Sequence, residues 1–132
     1  MFEYHGWITI QGSAGDESSA ASEATVRAVE VELAELRVLP GLVDVRTVNG
    51  SAQLHLAGLS NHRGGQGELV LQTFRRISEV APGSYGLLFV RDDEDAVGRD
   101  NEFQVLAMRR GSVTETRDQH LSPCIPVIED EE

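Results

Sequence analysis

The chain has 132 residues, 11 basic side chains against 22 acidic ones, and a formal net charge of −11. That length suits one domain around one core, and that charge argues against a general affinity for nucleic acid or anionic membranes while favouring basic partners. All 11 basic residues are arginine, which removes lysine Schiff-base and P-loop chemistry, and a single cysteine, Cys124, excludes an internal disulfide or a multi-cysteine metal site.

Residues 2–11 alternate as a strand. Phe2, Tyr4, Gly6, Ile8 and Ile10 share one face, which reads as core. Glu3, His5, Trp7, Thr9 and Gln11 share the other, where Trp7 stands among polar neighbours. This N-terminal stretch lacks the basic region and apolar run of a signal peptide, and no segment reaches the length of a membrane span, so a cytoplasmic location is expected.

GSAGDESS, 12–19, is a loop by composition. A helix is predicted over 19–39, with Val26, Val29, Leu33 and Leu36 as its apolar stripe and Pro40-Gly41 as its stop.

LVDVRTVNGSAQLHLAG, 42–58, reads as a hairpin. Asn49 and Gly50 both tolerate positive φ, so a two-residue type I′ turn is predicted between two alternating runs. Counting outwards pairs Thr47 with Ala52, Val45 with Leu54 and Val43 with Leu56 on a mainly apolar face. Arg46–Gln53 and Asp44–His55 fall on the other. The register set by the turn also sorts polar from apolar.

SNHRGGQG, 60–67, is a second glycine-rich loop, and a helix over 66–81 presents Val70, Phe74, Ile77 and Ala81. Pro82-Gly83 ends it. SYGLLFVR, 84–91, is apolar on both faces and reads as a central strand. The acidic loop DDEDAVGRDN follows, then a strand over 102–110, a turn at Gly111, and the polar edge strand SVTETR. Residues 119–132 read as an irregular acidic tail whose Leu121, Ile125, Val127 and Ile128 are expected to pack on the body. The order β-α-β-β-α-β-β-β predicts an α+β fold: a ferredoxin-like βαββαβ antiparallel sheet, extended by a C-terminal hairpin, with both helices on one face.

Chemistry-bearing motifs are sparse. The glycine-rich loops match neither a Walker loop nor GxGxxG, and no histidine pair has the helical spacing of a zinc protease. The loop Asp92, Asp93, Glu94, Asp95 lacks the alternating ligands and terminal glutamate of an EF-hand, so no metal or cofactor is expected. Two features remain. Trp7 is to be covered by the tail or to serve as a partner-binding anchor. The acidic loop is to be solvated charge or a docking surface for a basic partner.

EYHGWITI at the start, NHRGG before the second helix, SYGLLFVRDDED, and RGSVTETRDQHLSP occur in order along nearly the whole chain. Together they resemble the immunity protein 7 family of bacterial polymorphic toxin systems. The resemblance implies a cytoplasmic, non-enzymatic protein encoded beside a secreted toxin, which binds and neutralises the cognate toxin domain, with a nuclease as one toxin class. It marks His5, Gly6, Trp7, Asn61, His62, Arg63, Ser84, Tyr85, Gly86, Asp92, Asp93, Asp118, Leu121, Ser122 and Pro123. From these and the charge run, Trp7, His5, His62, Arg63, Asp92, Asp93, Glu94 and Asp95 are expected to meet the toxin. A homo-oligomer stays open. Two other readings stand beside it: a small ferredoxin-like ligand-binding or regulatory domain, and an enzyme using His5, His55 and Asp44.

Overall fold

The computed structural model describes residues 1–13, 15 and 18–128. Strand β1 (Phe2–Ile10) leads to helix α1 (Ser19–Leu33), then β2 (Leu42–Val48) and β3 (Ser51–Ser60), helix α2 (Gly64–Val80), and strands β4 (Tyr85–Asp92), β5 (Gln104–Arg109) and β6 (Ser112–Arg117). All six strands form one antiparallel sheet in the order β2-β3-β1-β4-β5-β6. β3 lies between β1 and β2, and β1 between β3 and β4. That interleaving is compatible with the ferredoxin-like arrangement, and the β5–β6 hairpin extends the sheet beyond it.

The β2–β3 register matches the one counted from the turn, from Val48–Ser51 out to Val43–Leu56. Asn49 and Gly50 both adopt positive φ, +50° and +80°. The second hairpin turns the same way, on Arg110 at +51° and Gly111 at +74°. An arginine in the left-handed region costs roughly 1 kcal/mol that glycine does not incur.

The core follows from a parity in the sequence. Phe2, Tyr4, Ile8 and Ile10 of β1, Leu54 and Leu56 of β3, Leu88 and Val90 of β4, and Leu106 and Met108 of β5 all point to one face. Val29 and Leu33 of α1 and Val70, Phe74 and Ile77 of α2 complete the same cluster. Each side chain of this kind, fully buried, contributes about 1.5–3 kcal/mol of transfer free energy. The helices therefore cover one face, as the hairpin pattern requires.

Two helix bounds differ from the prediction. α1 is capped by Ser18, whose hydroxyl accepts the Ala21 N–H at 3.2 Å, but it ends at Leu33 rather than at 39. A 3₁₀ turn over Leu36–Val38 follows. Leu39, held extended before Pro40, stops the chain from continuing as helix, and the tighter i→i+3 spacing keeps Leu33 and Leu36 on the core side. α2 starts two residues early, where Gly67 N–H donates to the Arg63 carbonyl at 2.6 Å.

Residues Cys124–Val127 form a single turn, with Ile125 in an extended conformation inside it, tied to the β4–β5 loop by Asn101. The Asn101 carbonyl accepts Cys124 N–H at 2.9 Å, and its side-chain amide exchanges two further bonds of 2.9 Å with the Ile125 backbone. Cys124 is the tail's buried anchor, whereas Leu121, Ile125 and Ile128 stay exposed. Burial pushes its thiol pKa up, as expected of a packing residue rather than a nucleophile. The side chain of Val127 and the acidic run Glu129–Glu132 lie outside the described residues.

Candidate functional site

The face of the sheet turned away from the helices carries the candidate site. Side chains there come from the other parity: Glu3, His5, Trp7 and Thr9 of β1, Gln53, His55 and Ala57 of β3, Tyr85, Leu87, Phe89 and Arg91 of β4. One row runs Asp44–His55–Trp7–Leu87–Ala107–Thr114 across all six strands.

The end of this face near Glu3 is closed. Arg91 places Nε and a terminal nitrogen 3.0 Å from Glu3 Oε1. The guanidinium carbon lies 6.0 Å from the ring centre of Phe103, which meets Phe89 edge-on with centroids 6.5 Å apart. The other end is open. Trp7 retains 37% of its surface and Tyr85 46%, and the two rings meet edge-on with centroids 6.2 Å apart. Among the described residues, the tail does not cover Trp7.

The acidic loop sits at the rim of the closed end and is internally bonded. The Met1 ammonium donates to Asp93, and Asp93 N–H returns a bond of 3.1 Å to the Met1 carbonyl. His62 Nδ1 lies 2.6 Å from Glu94 Oε1. Asp92 accepts Glu94 N–H, and Asp95 accepts Arg99 N–H, each at 3.0 Å. Ligand oxygens of Asp92, Asp93 and Glu94 come within 4.8 Å of one another, a convergence those bonds account for.

The His62 hydrogen bond holds the Glu94 carboxyl below the usual glutamate range. A lowered carboxyl stabilises the fold above the ordinary glutamate range and loses that contribution as pH falls through the lowered value. Carbon-detected NMR titration should show Glu94 titrating below ordinary glutamates, and returning toward them in His62→Ala.

The remaining expected residues divide. His5 Nε2 donates to Glu3 Oε2 at 3.1 Å on the open face. Arg63 lies at the start of α2, bonded to Glu68 at 2.6 Å, and shares no contact with Trp7 or His5 among the described residues. His62 joins the acidic rim. Several other motif positions have structural work. Ser84 is buried and exchanges two hydrogen bonds with the Gln11 backbone. Asp118 accepts the N–H groups of His120 and Leu121, at 3.2 and 2.6 Å. Ser122 accepts Phe103 N–H at 3.0 Å.

The residues of the enzymatic reading do not converge. Asp44 faces His55 in register but turns its carboxylate to Arg46, at 2.9 Å. His5 lies in a different row, paired with Ala57 and Phe89. Two surface depressions among the described residues, about 460 and 660 Å³, are lined by other residues, one around Glu102, Arg117 and Asp118, the other around Ile10, Val26 and Asn49. Sequence reasoning missed the Arg109 and Arg110 flank of the open end; an arginine before a turn glycine was its only signal.

Among the described residues, no helix is long and apolar enough to cross a membrane. A family model described as immunity protein 7 matches residues 1–130. Neither the curated proteins nor the solved structures yield a match.

Proposed function

The chain belongs to the immunity protein 7 family, and from that premise we propose that it neutralises a cognate toxin domain by direct protein–protein contact in the cytoplasm, without catalysis. The family match over nearly the whole chain carries this reading. The site supports it: a half-exposed aromatic pair on an open sheet face.

His5 and Trp7 lie on that face, and Asp92–Asp95, with His62 beside them, form the acidic rim. We assign the rim the long-range part of recognition: carboxylates at a protein's edge raise the association rate with a basic partner more than they hold the complex. A nuclease toxin, with its basic cleft, fits that role. Arg63 belongs to the same proposed contact through its position next to His62.

Co-expression with the toxin domain encoded by the adjacent gene tests the proposal. Cells carrying both should survive where cells carrying the toxin alone do not, and the two purified proteins should co-elute. Unrelieved toxicity together with no co-elution overturns the reading. Retained protection by an Asp92→Asn, Asp93→Asn, Glu94→Gln, Asp95→Asn variant whose association rate at low salt is unchanged removes the electrostatic part alone.

A further inference from the structure

Beyond the acidic rim, the open face has a second pole. β4 runs from Tyr85 at one end of the sheet to Asp92 at the other, a span of roughly 23 Å at strand rise. Continuing the β4–β5 register one step past Gly86–Met108 sets Arg109 opposite Tyr85, and alternation puts its side chain on the face of Ala107 and Leu87. Arg110 follows in the turn.

Both arginines are exposed, and among the described residues neither forms an ion pair. Arg37, Arg46, Arg63, Arg75, Arg91, Arg99 and Arg117 each meet a carboxylate, while Arg27 of α1 and Arg76 of α2, away from the open face, form no ion pair among the described residues either. In a chain of net charge −11, where carboxylates outnumber arginines two to one, two adjacent uncompensated guanidinium groups mark a local positive corner. Arg110 also occupies a left-handed turn position that asparagine or glycine would fill at lower cost.

The corner borders the Trp7–Tyr85 pair. Tryptophan, tyrosine and arginine are the residue types most enriched among interface residues that dominate binding energy. A second copy of this chain is a poor occupant. A two-fold contact centred here would bring like arginines toward one another and leave their charges uncompensated. An acidic partner surface neutralises them.

We infer that the toxin domain docks through a patch with an apolar centre and carboxylates at its border onto the Trp7, Tyr85, Arg109 and Arg110 end of the open face. This inference rests on the toxin-binding reading above and names the surface that holds the complex. The two poles then divide the work. The acidic rim attracts and orients the partner, and the aromatic–arginine corner sets the dissociation rate.

The test uses the full chain and the catalytically inactivated toxin domain from the adjacent gene, with association and dissociation followed separately. Tyr85→Ala should weaken binding at least thirty-fold, on the order of a hot-spot loss, through faster dissociation. Arg109→Glu with Arg110→Glu should weaken it by about tenfold or more. Both sites are exposed, so circular dichroism should show an unchanged fold. Trp7→Ala should behave as Tyr85→Ala does. Wild-type binding with all these variants within threefold of it overturns the inference and leaves the proposed function standing. No binding by the wild type removes the reading itself. A wild-type dimer dissociated by Tyr85→Ala would show that a second copy covers the face, and would also overturn the inference.

Discussion

Gly86→Ala is expected to destabilise the protein by about 3 kcal/mol or more, a large share of the roughly 5–15 kcal/mol that holds a domain together. Gly86 lies in β4 opposite Ile8 of β1, in the middle of the sheet. A Cβ built there would stand 2.0 Å from the Trp7 carbonyl oxygen, 2.8 Å from Ile8 Cα and 2.9 Å from the Trp7 carbonyl carbon. All three atoms are backbone, so no rotamer change relieves the clash. Relief requires β4 to move away from β1, which breaks hydrogen bonds on one side of the central strand and opens the core around Ile8 and Leu88. Urea denaturation measures the effect. Gly65→Ala is the control: a Cβ at Gly65 meets nothing within 4 Å, and inside a helix the change should be neutral or slightly stabilising. An alanine at 86 that unfolds at the wild-type urea midpoint would contradict the packing described for β1 and β4.

How much of this was legible in the sequence depends on the range over which each feature is determined. The β2–β3 hairpin was readable to the residue because Asn49-Gly50 is a local device and alternation sorts the faces beside it. The core stripes of both helices were readable for the same reason: period and burial coincide within one element. Helix ends were less so, since the passage from α1 into a 3₁₀ turn depends on how Leu36 reaches the core. The tail's fixed points were not readable locally because their determinants lie elsewhere in the chain. Asn101 holds Cys124 and Ile125 from a loop more than twenty residues earlier, and the two prolines of SPCIPVIED, Pro123 and Pro126, argue locally against order. The site was legible in type but not in arrangement. Trp7 stands out in a polar run, yet its partner Tyr85 is a strand away, and only pairing through β4 and β5 brings Arg109 to that corner. The charges of Asp92–Asp95 could be counted from sequence; their satisfaction by Met1, His62 and Arg99 could not.

Arg91 and Glu3 form the second long-range feature that local patterning hides, 88 positions apart in the chain. Their side chains are only 10% and 17% exposed. Removing one partner strands the other's charge in a poorly solvated place, so Arg91→Leu and Glu3→Leu should each destabilise by roughly 2–4 kcal/mol at neutral pH. Arg91→Leu leaves Glu3 with the His5 bond alone, and Glu3→Leu leaves the guanidinium beside Phe103 without a carboxylate. The double replacement removes both charges and should cost less than the two singles added together, giving a coupling of about 1 kcal/mol or more in a double-mutant cycle. The fields of both side chains reach the buried Cys124 thiol, that of Arg91 lowering its pKa and that of Glu3 raising it. Hydrogen exchange at the Cys124 amide, bonded to the Asn101 carbonyl, should therefore quicken in either single variant and recover part of its protection in the double. Additive single effects would mean that the two side chains are solvated separately, and that the tail is held by its backbone bonds alone.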